Sequence, residues 1–345
     1  MNKSRPPTEI SVIVPVTADD KPYLDKLIHK ISDQSYKNIE LILISDKKIS
    51  FPAHKFPLKT IVTEKIFNPS EKRNLGLKSA KGKFLAFIDS DAYPDSDWLK
   101  KALPYFRNPA IAAVGGPGLT PPEDSLLQRL SGHVWCSRIG TGGVGTYRCL
   151  PGPARYVDDY PTFNLIVRKS DLWKIGGFTA PYWPGEDTSL CHDLVYKLNK
   201  KIIYSPKVIV FHHRRKLFGP HLKQIRLYGV HRGYLARTLP KTSRKISYML
   251  PSLSILILLF TYPVHRLALS LGHPVISRVI GTFYLFSIIV YLAYLTDDLL
   301  KIYKKERNPV TAFLFIPAVI STHAVYGLFF LSGFFSGIRA ENDKL

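Results

Sequence analysis

Phe84-Leu85-Ala86-Phe87-Ile88-Asp89-Ser90-Asp91 is the stretch from which the architecture can be read. Five apolar residues in succession, closed by polar ones, predict a strand buried on both faces, as in a parallel sheet covered by helices. Working outward, Ile10–Val14 ending at Pro15 and Ile39–Ile44 ending at Ser45-Asp46 repeat the pattern, and Thr60–Val62 predicts a shorter strand. Between them, Leu24, Leu27, Ile28 and Ile31 recur at helical spacing within Lys21–Gln34. Ser70 reads as the N-cap of a helix through about Ala80, and Asp97–Phe106 reads as another helix. Strands alternating with helices imply an α/β, mostly parallel sheet. Ligands of such sheets bind beyond the carboxyl ends of the strands. Pro15, Asp46 and Asp89 fall there. Farther on, Asn164–Val167 and Ile202–Phe211 read as strands and Thr188–Asn199 as a helix.

Three polar constellations can carry chemistry. Asp89 and Asp91, two residues apart past a buried strand, can both turn toward one divalent cation. Mg²⁺ and Mn²⁺ take oxygen ligands and keep part of their shell for substrate phosphates. As an isolated pair such acids are solvated surface groups, and it is the preceding strand that gives these a role. Gly185-Glu186-Asp187 offers a carboxylate general base, or simply an Asp N-cap. His212-His213-Arg214-Arg215 offers a third metal ligand in His212 and an Arg for a diphosphate in Arg214, or a plain charge run beside a membrane. Gly140-Thr141-Gly142-Gly143-Val144-Gly145 matches GxGxxG but has no buried strand before it and prolines after it, so it predicts a flexible loop and no dinucleotide cofactor.

The charge is lopsided. The chain carries 48 Lys and Arg against 26 Asp and Glu, a net +22. No acid occurs from Leu194 to Thr296, while 14 bases lie between Lys197 and Lys245, ahead of long apolar runs. That arrangement points to anionic lipid headgroups. No nucleic-acid motif accompanies the charge, so no nucleic-acid partner is expected. Ile246–Val264, Val275–Thr296 and Val310–Phe335 each approach the roughly 20 apolar residues that cross a bilayer. Lys301, Lys304, Lys305 and Arg307 follow the second run, against Arg266 alone in the other connection, so the positive-inside rule puts the N-terminal part in the cytoplasm. Residues 1–9 are polar with no apolar leader. Cys136, Cys149 and Cys191 form no disulfide framework and no CxxC pair. The expected organisation is a catalytic domain over 1–215, a basic amphipathic segment over 216–245, and a three-helix membrane region with a short external tail over 246–345. The expected location is multi-pass in the plasma membrane.

Taken in order, Ser11-Val12-Ile13-Val14-Pro15, Asp33-Gln34-Ser35-Tyr36, Arg73-Asn74-Leu75-Gly76, Ala80-Lys81-Gly82, Phe87-Ile88-Asp89-Ser90-Asp91, Asn164, Gly176-Gly177-Phe178 and Glu186-Asp187 resemble glycosyltransferase family 2, the inverting enzymes of the GT-A, Rossmann-like fold. The resemblance covers roughly residues 10–215. It implies that Pro15 and Asp46 line a nucleobase pocket, that Arg73 lies near the nucleotide, that Asp89 contacts ribose or metal-bound water, and that Asp91 ligates Mn²⁺ or Mg²⁺ with His212 as third ligand. It also implies Asp187 as the base with Glu186 in support, and a nucleotide-sugar donor. Val16-Thr17-Ala18 and Lys47-Lys48 depart from the family's pattern at the base pocket. A QxxRW motif is absent, which predicts transfer of one sugar without processivity. The acceptor expected is membrane-held and polyprenyl-linked. The alternatives are direct transfer to a polyprenyl phosphate and a non-catalytic GT-A-like scaffold.

Overall fold

The structure, a computed structural model, describes residues 8–17, 21–49, 51, 56–66, 68–179 and 182–337. Ala18 and the tail beyond residue 337, to which expectations were attached above, lie outside the described residues. The chain divides into two compact units, one of residues 1–122 and 147–213, the other of residues 123–146 and 214–345.

The first unit is built on strands β1 (Ile10–Val16), β2 (Ile39–Ser45), β3 (Leu58–Val62), β4 (Phe84–Ile88), β5 (Ala92–Pro94), β6 (Ile111–Gly115), β7 (Gly118–Leu119), β8 (Arg155–Val157), β9 (Asn164–Arg168), β10 (Lys201–Tyr204) and β11 (Val210–His212). Eight form one sheet in the order β3-β2-β1-β4-β9-β6-β10-β8. β9 runs against both neighbours and β8 against β10, so the sheet is mixed with its parallel majority as expected. Alternation along the strands feeds two cores. Val12, Val14, Ala86 and Ile88 pack with Leu24, Leu27 and Ile31 of helix Lys21–Ser32. Ile13, Leu85 and Phe87 face the other way, toward Leu77, Leu172 and Leu190. β5, β11 and β7 make a separate three-stranded sheet.

The opening in the main sheet follows from its register. β1 stays paired with β2 to Val16, opposite Ser45, whereas its pairing with β4 ends at Ile13, opposite Phe87. Pro15 lies past that last β4 pair. Proline has no N–H for a ladder and is tolerated where a ladder ends. The order β3-β2-β1-β4 changes direction of winding here, which is where open α/β sheets bind ligands. The helix after β3 begins two residues earlier than expected: it is Pro69–Ser79, and Asn68 caps it by accepting from Ser70 N at 2.8 Å.

The second unit is helical. Its elements are Leu126–Cys136, Gly219–Thr238, Ile246–Ser270, Pro274–Glu306 and Pro309–Ser336. The last two are each long and apolar enough to cross a membrane. Ile246–Ser270 meets that test only as two halves bent by 42°, so the third expected span is a broken one. Helix Gly219–Thr238 buries residues all around, including His221, Ile225, Gly229, Val230, His231, Gly233 and Leu235, rather than only one stripe. His221 lies between Ser131 Oγ at 2.8 Å and Thr322 Oγ1 at 2.9 Å. The Gly140–Gly145 segment follows a helix, not a strand. It is tied down by Ile139 N donating to Asp298 Oδ2 at 2.9 Å and Gly140 N donating to Ser137 Oγ at 2.9 Å, so it does not hang as a free loop.

Two glycines allow helices Gly219–Thr238 and Pro309–Ser336 to touch backbone to backbone. A Cβ on Gly333 would stand 1.9 Å from Val230 O, and one on Gly233 would stand 2.0 Å from Phe330 O. Gly333→Ala must therefore push the helices apart. Overpacking of this kind costs about 1–3 kcal/mol, and thermal melting of the detergent-purified protein is expected to drop by several degrees. An unchanged melt would show that this contact is looser than described.

Candidate functional site

β4 delivers Asp89 at its carboxyl end, and the chain turns through Ser90 into β5. β5 then pairs antiparallel with β11, setting His212 opposite Ala92. This register, not sequence proximity, brings His212 to the acids. His212 Nε2 lies 3.2 Å from Asp91 Oδ1, and His213 N donates to Asp91 O at 3.0 Å. One ligand atom from each of Asp89, Asp91 and His212 lies within 4.8 Å of the others. Phe163 packs on the His212 ring at 4.9 Å between centroids. Two carboxylates and an imidazole suit a divalent cation, and His212 Nδ1 is buried with no hydrogen-bond partner among the described residues. The ring thus keeps one nitrogen that no described residue engages. Burial pushes the Asp89 carboxyl above its ordinary value; Arg73 pulls it down, and the charge on Asp91 pushes it up again. A cation between the acids would relieve that repulsion.

Arg73 comes from helix Pro69–Ser79 and is 4% exposed. Its Nη1 donates to Glu186 Oε1 at 2.6 Å and its Nη2 to Asp89 Oδ1 at 3.0 Å. Burial works against the guanidinium charge, but Glu186, Asp89 and Asp187 outweigh it and hold the group charged above its ordinary range. The next residue, Asn74, exchanges two 2.8 Å bonds with the backbone of Phe178. Gly177 in between has φ +83, and a Cβ there would lie 2.5 Å from Asn74 Oδ1, so only glycine fits. Arg73-Asn74 and Gly176-Gly177-Phe178, far apart in sequence, are thus two sides of one wall.

Glu186 and Asp187 open helix Glu186–His192. Glu186 is buried and its Oε2 accepts from Gly185 N at 3.0 Å. Asp187 is half-buried and its Oδ1 accepts from Thr188 N at 2.8 Å. Thr188 Oγ1 donates to the buried Asp159 at 2.8 Å, and Asp159 also pairs with Arg148 at 3.2 Å. Asp159 and Arg148 carried no signal in the sequence, being acid and base without a motif around them.

Asp46 follows β2 on the same rim. It forms an ion pair with Lys72, whose Nζ also donates to Val16 O at 2.8 Å. Lys72 is 1% exposed. A lysine beside Arg73 on a short helix reads as a surface charge, so this partner of Asp46 was not foreseen. Pro15 is half-buried at the opening between β1 and β4. The structure therefore gathers Asp89, Asp91, His212, Arg73, Glu186 and Asp187, and sets Pro15 and Asp46 at the ends of the two adjoining strands. Arg214 begins the final stretch of the helical unit, where its N–H donates to Asp124 Oδ2 at 3.3 Å.

The model of the family described as glycosyl transferase family 2 matches residues 11–176. The pre-mycofactocin glycosyltransferase of Mycobacterium tuberculosis (strain H37Rv) is 27% identical over 173 residues, which are 47% of this chain and 33% of that protein. The chain thus spans about a third of the length of that relative. A Methanococcus voltae protein, dolichyl N-acetyl-alpha-D-glucosaminyl phosphate 3-beta-D-2,3-diacetamido-2,3-dideoxy-beta-D-glucuronosyltransferase, is 22% identical over 245 residues, 66% of this chain and 74% of that one. Among solved structures, mannosyltransferase PcManGT from Pyrobaculum calidifontis in complex with GDP-Man and Mn²⁺ aligns over 96% of this chain and 88% of its own, with a TM-score of 0.51 and 15% identity. That likeness is one of fold, the GT-A arrangement of a mixed sheet with its ligand rim. Through residues 11–176 the chain belongs to glycosyltransferase family 2.

Proposed function

We propose that this protein is an inverting glycosyltransferase that moves one sugar from a nucleotide-diphosphate sugar to a membrane-held, lipid-linked acceptor. The observation that carries the reading is the gathering of Asp89, Asp91 and His212 at the opened end of β1 and β4, with Glu186 and Asp187 joined to it through Arg73. Asp91, Asp89 and His212 would hold Mn²⁺ or Mg²⁺, and a mixed oxygen–nitrogen donor set suits Mn²⁺ better than Mg²⁺, which favours oxygen ligands in near-ideal octahedral geometry. When bound, the cation supplies positive charge to the departing diphosphate. The chain's own residues do the rest. Asp187 takes the proton from the attacking acceptor hydroxyl as the sugar–oxygen bond to the phosphate breaks, which inverts the anomeric carbon in one displacement. Pro15 and Asp46 border the place of the nucleobase, with Asp46 paired to Lys72.

The acceptor class rests on two things. The helical unit carries helices long and apolar enough to hold the chain at a membrane, and the similar Methanococcus voltae protein is named for a dolichyl-phosphate-linked sugar acceptor. Basic residues between Lys197 and Lys245 would favour the anionic face of a plasma membrane, with the catalytic unit in the cytoplasm and the spans crossing more than once.

The test is a thermal-shift screen of the detergent-purified chain with UDP- and GDP-sugars, with Mn²⁺, Mg²⁺ or EDTA, followed by turnover with lipid-linked acceptors. Stabilisation by one donor that depends on the metal, and an alkali-stable sugar–sugar product, are expected. An alkali-labile product on a polyprenyl phosphate would assign direct transfer instead. Nucleotide binding indifferent to metal would remove the cation from the reading.

A further inference from the structure

Arg73 bridges two acids of the candidate site. Both terminal nitrogens are engaged by carboxylates of the chain, Nη1 by Glu186 and Nη2 by Asp89. Its Nε is buried and has no hydrogen-bond partner among the described residues, and the guanidinium lies 5.7 Å from the Phe178 ring centre. A buried guanidinium with two charge-assisted bonds has its orientation fixed, because a planar fork can satisfy both acids in only one attitude. Glu186 is fixed in turn at its other oxygen by Gly185 N. Its neighbour Asp187 starts the same helix, so the position of one determines the position of the other.

We propose that Arg73 is a positioning residue that sets the distance between the donor side of the site, at Asp89, and the base side, at Glu186 and Asp187. The proposal rests on the functional reading above. It acts on the chemical step: Asp187 must meet a hydroxyl whose reaction partner is held by Asp89 and Asp91, and a shift of about 1 Å between the two costs about 100-fold in rate. A lysine keeps the charge but has one ammonium on a flexible stem, and cannot hold both acids in a fixed plane.

The test compares Arg73→Lys, Glu186→Gln and the double variant in the full chain. Mn²⁺ affinity is read by electron paramagnetic resonance, and kcat and KM are read with the donor that the wild type turns over. Each single variant is expected to lose about 100-fold in kcat while Mn²⁺ affinity and donor KM stay within about threefold. The double variant is expected to lose no more than either single one, since both cut the same strap. If Arg73→Lys weakens donor binding as much as it slows kcat, Arg73 is a nucleotide ligand and the proposal fails. It fails also if the two losses multiply, or if kcat is unchanged. Should Arg73→Lys not fold, Glu186→Gln alone decides through its split between kcat and KM. A wild type that turns over no nucleotide sugar overturns the functional reading, and this one with it; an active wild type with an indifferent strap overturns this one alone.

Discussion

Asp187→Asn is expected to lower kcat by roughly 10²–10⁴-fold, the range over which general bases contribute, with donor KM and metal dependence little changed. Asparagine keeps the carbonyl oxygen that accepts from Thr188 N at 2.8 Å, so the start of helix Glu186–His192 should survive the change. What it removes is the negative oxygen that the proposed base would use to take a proton. The helix N-terminus favours that negative charge, and the nearby guanidinium of Arg73 favours it further. Single-turnover kinetics with saturating donor and acceptor isolate the step. Wild-type turnover by a normally folded Asp187→Asn protein would remove Asp187 from the role of base.

Asp91→Ala should have an effect of similar size by a different route. It takes one of the three side chains that would hold the cation out of the Asp89–Asp91–His212 cluster. The local fold is held by Asp91 through its carbonyl, which accepts from His213 N, and that bond remains in alanine. The β5–β11 pairing should therefore stay intact while cation affinity collapses. Transition-state stabilisation by a Lewis acid is worth several kcal/mol, which is on the order of 10³-fold in kcat/KM. Calorimetry of UDP and GDP with and without Mn²⁺ separates the two contributions: the variant should bind nucleotide equally with or without the ion. A Mn²⁺ effect as large as in the wild type would show that the ion sits elsewhere.

Much of this candidate site is legible in the sequence, and for a physical reason. β1, β2 and β4 are buried on both faces, so their apolar runs stand out, and the polar residue ending each run marks the ligand rim. Asp46 and Asp89 came from that pattern. What was not legible depends on register between distant segments. β5 is three residues long, too short for periodicity to show, yet its pairing with β11 is what sets His212 beside Asp91. That Arg73 joins Asp89 to Glu186 is likewise invisible in the sequence, because those acids lie 16 and 113 residues away. Lys72 was missed because helix position alone does not say which lysine is buried. In the helical unit, the basic composition of Gly219–Thr238 suggested a helix with one wet face. Gly229 and Gly233 let a second helix close on it instead.

The order in which the chain visits its two units has a consequence for how the protein can be altered. Residues 123–146 leave the sheet-bearing unit and join the helices, and the chain then returns at Tyr147 before leaving again at Arg214. Leu130 and Val134 of that excursion are buried in one cluster with Leu217, Leu295, Ile302 and Phe315. The sheet-bearing unit is therefore not a cassette that can be cut off at residue 215. Any such cut strands an apolar helix in the middle of the retained piece, so the sheet-bearing and helical parts are bound to vary together.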